Sequence, residues 1–162
     1  MPSFKDVRLN GPWNIDEIRS HLSGAIIPIR LAVLNGEGWP LVVSLWFTLE
    51  EDALWCATPA QALIVHFLKQ NERCAFEIAA DNPPYKGVRG QGISSIHPDR
   101  GTAILNGLLA RYSIRPDSRL SRMLLNRADQ EVAIRIEAEW MTSWDFSQRM
   151  KDFLSGASQP EL

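Results

Sequence analysis

Cysteine is almost missing from this chain. Cys56 and Cys74 are the two present, each inside an apolar, strand-like run with neither CxxC spacing nor a histidine-rich setting. That excludes a zinc ribbon or a CxxC redox motif and leaves buried, reduced thiols as the expectation. Histidine is as sparse, and His21, His66 and His97 stand too far apart in context to suggest a shared metal; His66 falls on a helix opposite its apolar stripe, as a surface residue would. An excess of one charge is lacking too. With 17 basic against 19 acidic residues the net charge is −2, so no global field draws in a polyanion, and nucleic acid is not an expected partner. No apolar run approaches the length of a membrane span, and MPSFKDVRLNGPW at the start holds no signal-peptide core, so the expectation is a cytoplasmic protein away from membranes. GxSxG, HExxH and GxxxxGK are absent as well. Chemistry on this chain therefore depends on a cofactor rather than on a self-sufficient triad or zinc site.

What the sequence does have is concentrated between Ile29 and Thr58, IRLAVLNGEGWPLVVSLWFTLEEDALWCAT. Three runs of β-branched, aliphatic and aromatic residues are cut by Asn35-Gly36-Glu37-Gly38 and by Glu50-Glu51-Asp52, the pattern of two consecutive antiparallel hairpins. In the middle run Leu41, Val43, Leu45, Phe47 and Leu49 alternate with Val42, Ser44, Trp46 and Thr48, so the first set faces a core. The second set, an indole among hydroxyls, suits a planar aromatic ligand or a subunit interface.

Around this centre the remaining elements follow from local signals. Asn14-Ile15-Asp16-Glu17 has the form of a capping box and opens a helix to His21 or Leu22, stopped at Ser23-Gly24. Thr58-Pro59 opens a second helix, Ala60 to Gln70, with Leu63, Ile64, Phe67 and Leu68 as its apolar stripe. Arg73 to Ala80 alternates as a fourth strand, and Asp81-Asn82-Pro83-Pro84 makes a loop. Lys86 to Ile93 reads as a strand interrupted by three glycines, which mark bulges or close approaches. Arg89 and Gln91 share one face of it, roughly 6.6 Å apart, within reach of one planar ligand. Arg100 to Tyr112 and Ser118 to Arg127 are two helices with a positive excess. A last strand, Glu131 to Phe146, sets Val132, Ile134, Ile136, Ala138 and Trp140 on one side, before a helix from Ser147 to Leu154. At this length one domain with a real core is expected, residues 1–154 with a helical insertion at about 98–128 and a flexible tail, 155–162. The class is mainly β with packed helices, α+β, an antiparallel barrel.

The succession RLAVLNGEGWPLVVSLWF, LWCATPAQALIVHFL, RCAFEIAADNPPYKGVRGQG and SWDF resembles the pyridoxamine 5'-phosphate oxidase-like family of flavin-binding split β-barrels, from about Ile26 to Phe146. The resemblance implies a homodimer with two flavin mononucleotides (FMN) in clefts at the subunit interface. It also implies an FMN-dependent oxidoreductase acting on an unidentified small molecule. Carried over by position, it puts Val43, Ser44, Leu45 and Trp46 alongside the isoalloxazine and makes Arg30 the arginine opening the first barrel strand. Thr58 becomes the hydroxyl that starts the phosphate-side turn, Arg89 and Gln91 polar groups near ring or phosphate, and Trp144 an aromatic covering the cleft. Each also has a plainer role: Trp46 and Trp144 as core or dimer contacts, Arg89 as a partner of Glu77, Thr58 as a helix cap. The match departs at Ala62-Leu63-Ile64, where many relatives carry Ser-Arg-Lys for the phosphate. Two alternatives follow: a cofactor-free binding or interaction module on the same barrel, or a reductase using the deazaflavin coenzyme, whose anionic tail would lie over the arginine-rich helices.

Overall fold

The computed structural model describes residues 4–156. Eight strands form one sheet: β1 (Arg8–Asn10), β2 (Ile29–Leu34), β3 (Pro40–Leu45), β4 (Thr48–Glu50), β5 (Ala53–Pro59), β6 (Arg73–Ala79), β7 (Lys86–His97) and β8 (Glu131–Asp145). Among the described residues five α-helices accompany them: α1 (Ile15–Gly24), α2 (Leu63–Gln70), α3 (Gly101–Arg111), α4 (Arg119–Leu125) and α5 (Lys151–Gly156). The strand order is β3-β2-β6-β7-β8-β5-β4, with β1 added parallel to the end of β8. All the other pairings are antiparallel. None of the described helices is long and apolar enough to cross a membrane.

The long β7 and β8 pair along nearly their whole length and so belong to both halves of the sheet. One half, β3-β2-β6, lies beyond β7, and the other, β5-β4, beyond β8. Between them the inward residues Ile29, Leu31, Val33, Phe47, Leu54, Cys56, Phe76, Ile78, Ile134 and Ile136 form the principal core, closed by Ile18 and Leu22 of α1 and by Ile64, Val65 and Leu68 of α2. A second, smaller core lies on the opposite side of β5 and β8, where Ile104 and Leu108 of α3 meet Ala53, Trp55 and Ala133.

The local signals at α1 are realised in full. The Asn14 side chain accepts hydrogen bonds from the amides of Asp16 and Glu17, while Glu17 reaches back to the Asn14 amide at 2.7 Å. The expected middle strand departs from a single run. It breaks at Trp46–Phe47 into β3, paired with β2, and β4, paired with β5, which stand at opposite ends of the strand order. Inward alternation survives the break, with Leu41, Val43, Leu45 and Leu49 packed against the core and Phe47 fully buried. The break is held by Tyr112 at the end of α3, whose hydroxyl donates to the Ile27 carbonyl at 2.7 Å and accepts from the Phe47 amide at 3.2 Å.

Other boundaries shift by a few residues. The second helix starts at Leu63 rather than Ala60, because the strand before it continues through Thr58 to Pro59. Its buried stripe is Ile64, Val65 and Leu68, with Leu63 turned outward. Residues 147–150 form turns, so the last helix begins at Lys151 and runs through Ser155 into the expected tail; 157–162 lie outside the described residues.

Candidate functional site

On the outer face of β3-β2-β6-β7-β8, register alone assembles two rows of side chains. The first runs Ser44, Arg30, Glu77, Arg89, Thr142, and the second Val42, Ala32, Ala75, Gln91, Trp140, each residue directly opposite the next. Residues directly opposite across paired strands share a face, and positions two apart repeat it, so the rows lie side by side. Alanine at both Ala32 and Ala75 keeps the middle of the second row low. The result is an open hollow of about 610 Å³ floored by Ala32, Ala75 and Gly90, with Arg30, Glu77, Arg89, Val42 and Trp140 around it.

Trp140 is there because of an irregularity in β8. Gln91 faces Trp140 but Gly92 faces Ala138, leaving Glu139 as one extra residue opposite that step. A bulge of one residue reverses every side chain beyond it. Thus Ile134 and Ile136 point inward before the bulge and Met141 and Ser143 after it. The expected sequence of inward residues from Val132 to Trp140 is corrected at its last member, since Trp140 faces outward with Thr142 and Trp144. The glycine-rich strand β7 accommodates this neighbour: the place of a Gly90 Cβ is taken by the Trp140 carbonyl and the Phe76 ring, and that of a Gly87 Cβ by the Trp144 ring and Ala79. Trp144 therefore lies against the β7 backbone, with the Arg89 guanidinium 5.8 Å from its ring centroid.

Of the residues singled out in the sequence, the structure gathers Arg30, Ser44, Arg89, Gln91 and Trp144 on this one face. Val43 and Leu45 point the other way, into the barrel, and reach the site only through the backbone of β3, which is the edge strand of the sheet. Trp46 lies beyond the end of β3, stacked on Tyr112 with ring centroids 5.1 Å apart against the second core. Thr58 is buried in β5 opposite Val132 and caps no helix; Ala62 holds the N-cap position of α2 with no side-chain bond. At Ala62-Leu63-Ile64 the start of α2 carries no cation, with Leu63 exposed and Ile64 in the core. Positive charge at the face comes instead from Arg30, which lies 3.8 Å from Asp81, and from Arg89. Glu77 sits between the two, opposite each of them in register.

Sequence reasoning missed Ala32, Ala75 and Trp140. The small-residue alternation in Ala32 and Ala75 was readable, but its use needs the pairing of β2 with β6, 43 positions apart at Ala32 and Ala75. Chemically, the face offers a flat apolar floor, a free strand edge and two guanidinium groups at one side. It can hold a planar ring bearing an anionic appendage. Among the described residues no group of three metal-ligating side chains comes together.

No protein-family model matches the chain, and no curated protein matches it. Solved structures do. A conserved hypothetical protein from Mycobacterium tuberculosis aligns over 100% of this chain and 96% of its own, with a TM-score of 0.72 at 18% identity. An F420 reductase aligns over 80% of this chain and 97% of its own, with a TM-score of 0.63 at 19% identity. A Listeria innocua protein provisionally classed as a pyridoxamine 5'-phosphate oxidase aligns over 79% and 95%, with a TM-score of 0.60 at 15% identity. The chain thus has the split β-barrel fold of the pyridoxamine 5'-phosphate oxidase-like proteins, an antiparallel sheet with helices packed on it.

Proposed function

We propose that this protein is a homodimeric, cytoplasmic flavin-binding oxidoreductase acting on a small molecule, with FMN held on the outer face of β3-β2-β6-β7-β8. The observation that carries this reading is the pair of rows that set Arg30 and Arg89 beside the low floor of Ala32 and Ala75, next to the free edge of β3. The flavin, when bound, supplies the capacity to accept and return a hydride. The protein's own part is position. Arg30 and Arg89 would hold the phosphate in place of the basic side chains missing at Ala62-Leu63-Ile64, since guanidinium forks grip such an anion with charge-assisted bonds. Backbone groups of β3 from Val43 to Leu45, with Ser44 and Gln91, would meet the polar edge of the ring, and Trp140 and Trp144 would cover it. A second copy of the chain would complete the cleft over Val42. Trp46 and Thr58 face other parts of the molecule, the second core and the β5–β8 pairing. On this reading the chain is a single domain into which the helices of 98–128 are inserted.

The likeness to an F420 reductase supports the deazaflavin coenzyme as a second cofactor on the same face. The apolar start of α2 supports a different reading, a barrel that binds ligands or partners without a redox cofactor. Titration of the purified protein with FMN, followed by the visible spectrum, separates them. Saturable binding that weakens about tenfold or more in Arg89→Ala, the expected loss of one charge-assisted contact, is the outcome this proposal requires. An unchanged spectrum at saturating FMN would refute it and leave the module, while preferential binding of the deazaflavin coenzyme would transfer the site to that cofactor.

A further inference from the structure

Beside the hollow already described lies a second one of about 480 Å³, between the ends of β2 and β3, the start of β6 and the middle of β7 and β8. The two share Ala32, Ala75 and Gln91, so they are continuous along the outer face. The floor of the second is apolar, with Leu34, Pro40 and Ile93, and its two charged lining residues are Arg73 and Glu139. Both are exposed, and neither has an ion-pair partner within 4 Å among the described residues. Arg73 stands on β6 and Glu139 on β8, with β7 between them, so their backbones are roughly 10 Å apart across two strand spacings. Both side chains are long enough to reach inward from there. Glu139 reaches this hollow because it is the extra residue of the bulge in β8; bulges commonly re-aim a side chain beside a binding site.

The geometry points to a subsite for a zwitterionic small molecule with an apolar body, its carboxylate on Arg73, its ammonium on Glu139 and its body over Leu34, Pro40 and Ile93. An aromatic amino acid has this pattern of charge. A lone guanidinium would accept any organic acid, whereas opposite charges facing each other across an apolar floor favour a ligand that carries both over one that carries a single charge. As the place of the substrate next to a flavin, this assignment rests on the proposed function; as a binding site it stands without it.

Three probes of one shape test it: phenylalanine, 3-phenylpropionate and 2-phenylethylamine, titrated into the full chain by calorimetry and by chemical-shift changes at Gln91 and Ile93. Phenylalanine is expected to bind the wild type more tightly than either singly charged analogue. Arg73→Gln should weaken phenylalanine and 3-phenylpropionate about tenfold and leave 2-phenylethylamine unchanged, and Glu139→Gln should weaken phenylalanine and 2-phenylethylamine about tenfold and leave 3-phenylpropionate unchanged. Both positions are exposed, so the variants keep the fold, and a thermal melt confirms it. Failure of all three probes to saturate the wild type by about 10 mM overturns the subsite. So does an equal loss of all three in either variant. FMN titration of the same samples separates the two proposals: probes that bind where FMN does not uphold the subsite and end the flavin reading, and the opposite result ends the subsite alone.

Discussion

Single side chains do much of the joining in this molecule. Arg111, at the end of α3, donates to the carbonyls of Leu22, Ser23 and Ala25, at 2.9, 2.9 and 2.8 Å, and its guanidinium lies 5.2 Å from the Phe47 ring centroid. The last carbonyls of a helix have no partner within it, and a cation there also complements the helix dipole. Arg111 therefore ties the end of α3 to the end of α1 and to the strand break. Arg111→Met keeps much of the apolar stem but strips these bonds, with an expected loss of about 3 kcal/mol in urea unfolding. The buried thiols give a pH dependence of definite sign. Burial pushes Cys74 up from 9.0 to about 12, and raises Cys56 and the Tyr112 hydroxyl as well. The folded protein keeps these protons where the unfolded chain has released them, so stability is intact below about pH 9 and falls as the pH climbs from 9 towards 12. Denaturant midpoints across that range should show the decline, and Cys74→Ala should make it shallower.

At the scale of elements, one-residue events decide where side chains go, and these are what a sequence hides. The capping box at Asn14, the alternation in β6 and the inward set from Leu41 to Leu49 were legible because each depends on neighbours in the chain. The split between β3 and β4 was not: Trp46 and Phe47 continue the alternation without a glycine or proline to mark the break, and the residue that fixes it, Tyr112, is 65 positions from Phe47. The bulge at Glu139 left no sign in β8 itself. Its sign was in the partner, in Gly90 and Gly92, and reading it needed the register. The site was therefore half legible. Arg89 and Gln91 share a strand and were found together, whereas Trp140 was assigned inward because the count had no bulge in it. A methyl group at Gly90 would stand 2.6 Å from the Phe76 ring and press on the Trp140 backbone. Gly90→Ala is accordingly expected to cost about 2 kcal/mol and to displace Trp140 from the face, measurable as a lower melting temperature and a changed tryptophan emission.

For the molecule as a whole, the outer face poses a question of exposure. The inner side of the sheet is sealed by α1 and α2, and the outer side of β5 and β8 is covered by α3, yet none of the described helices packs on the outer side of β3-β2-β6-β7. Val42 is 60% exposed there, and Trp39, next to β3 in the chain, is 69% exposed. A β-branched residue in the middle of the edge strand and an indole beside it are poor choices for water but good ones for the middle of an interface. In the proposed dimer this face would be buried, and a second copy lying over it would enclose the hollow beside Arg30 and Arg89. Val42→Glu places a carboxylate in that contact without disturbing the barrel interior, since the side chain points away from the core. The variant should fold with a melting temperature close to the wild type, elute as a monomer in light-scattering chromatography and lose FMN affinity in parallel. A variant that remains dimeric, or a wild type that is already monomeric at micromolar concentration, would separate the cleft from the fold. Flavin binding would then have to be a property of one barrel alone.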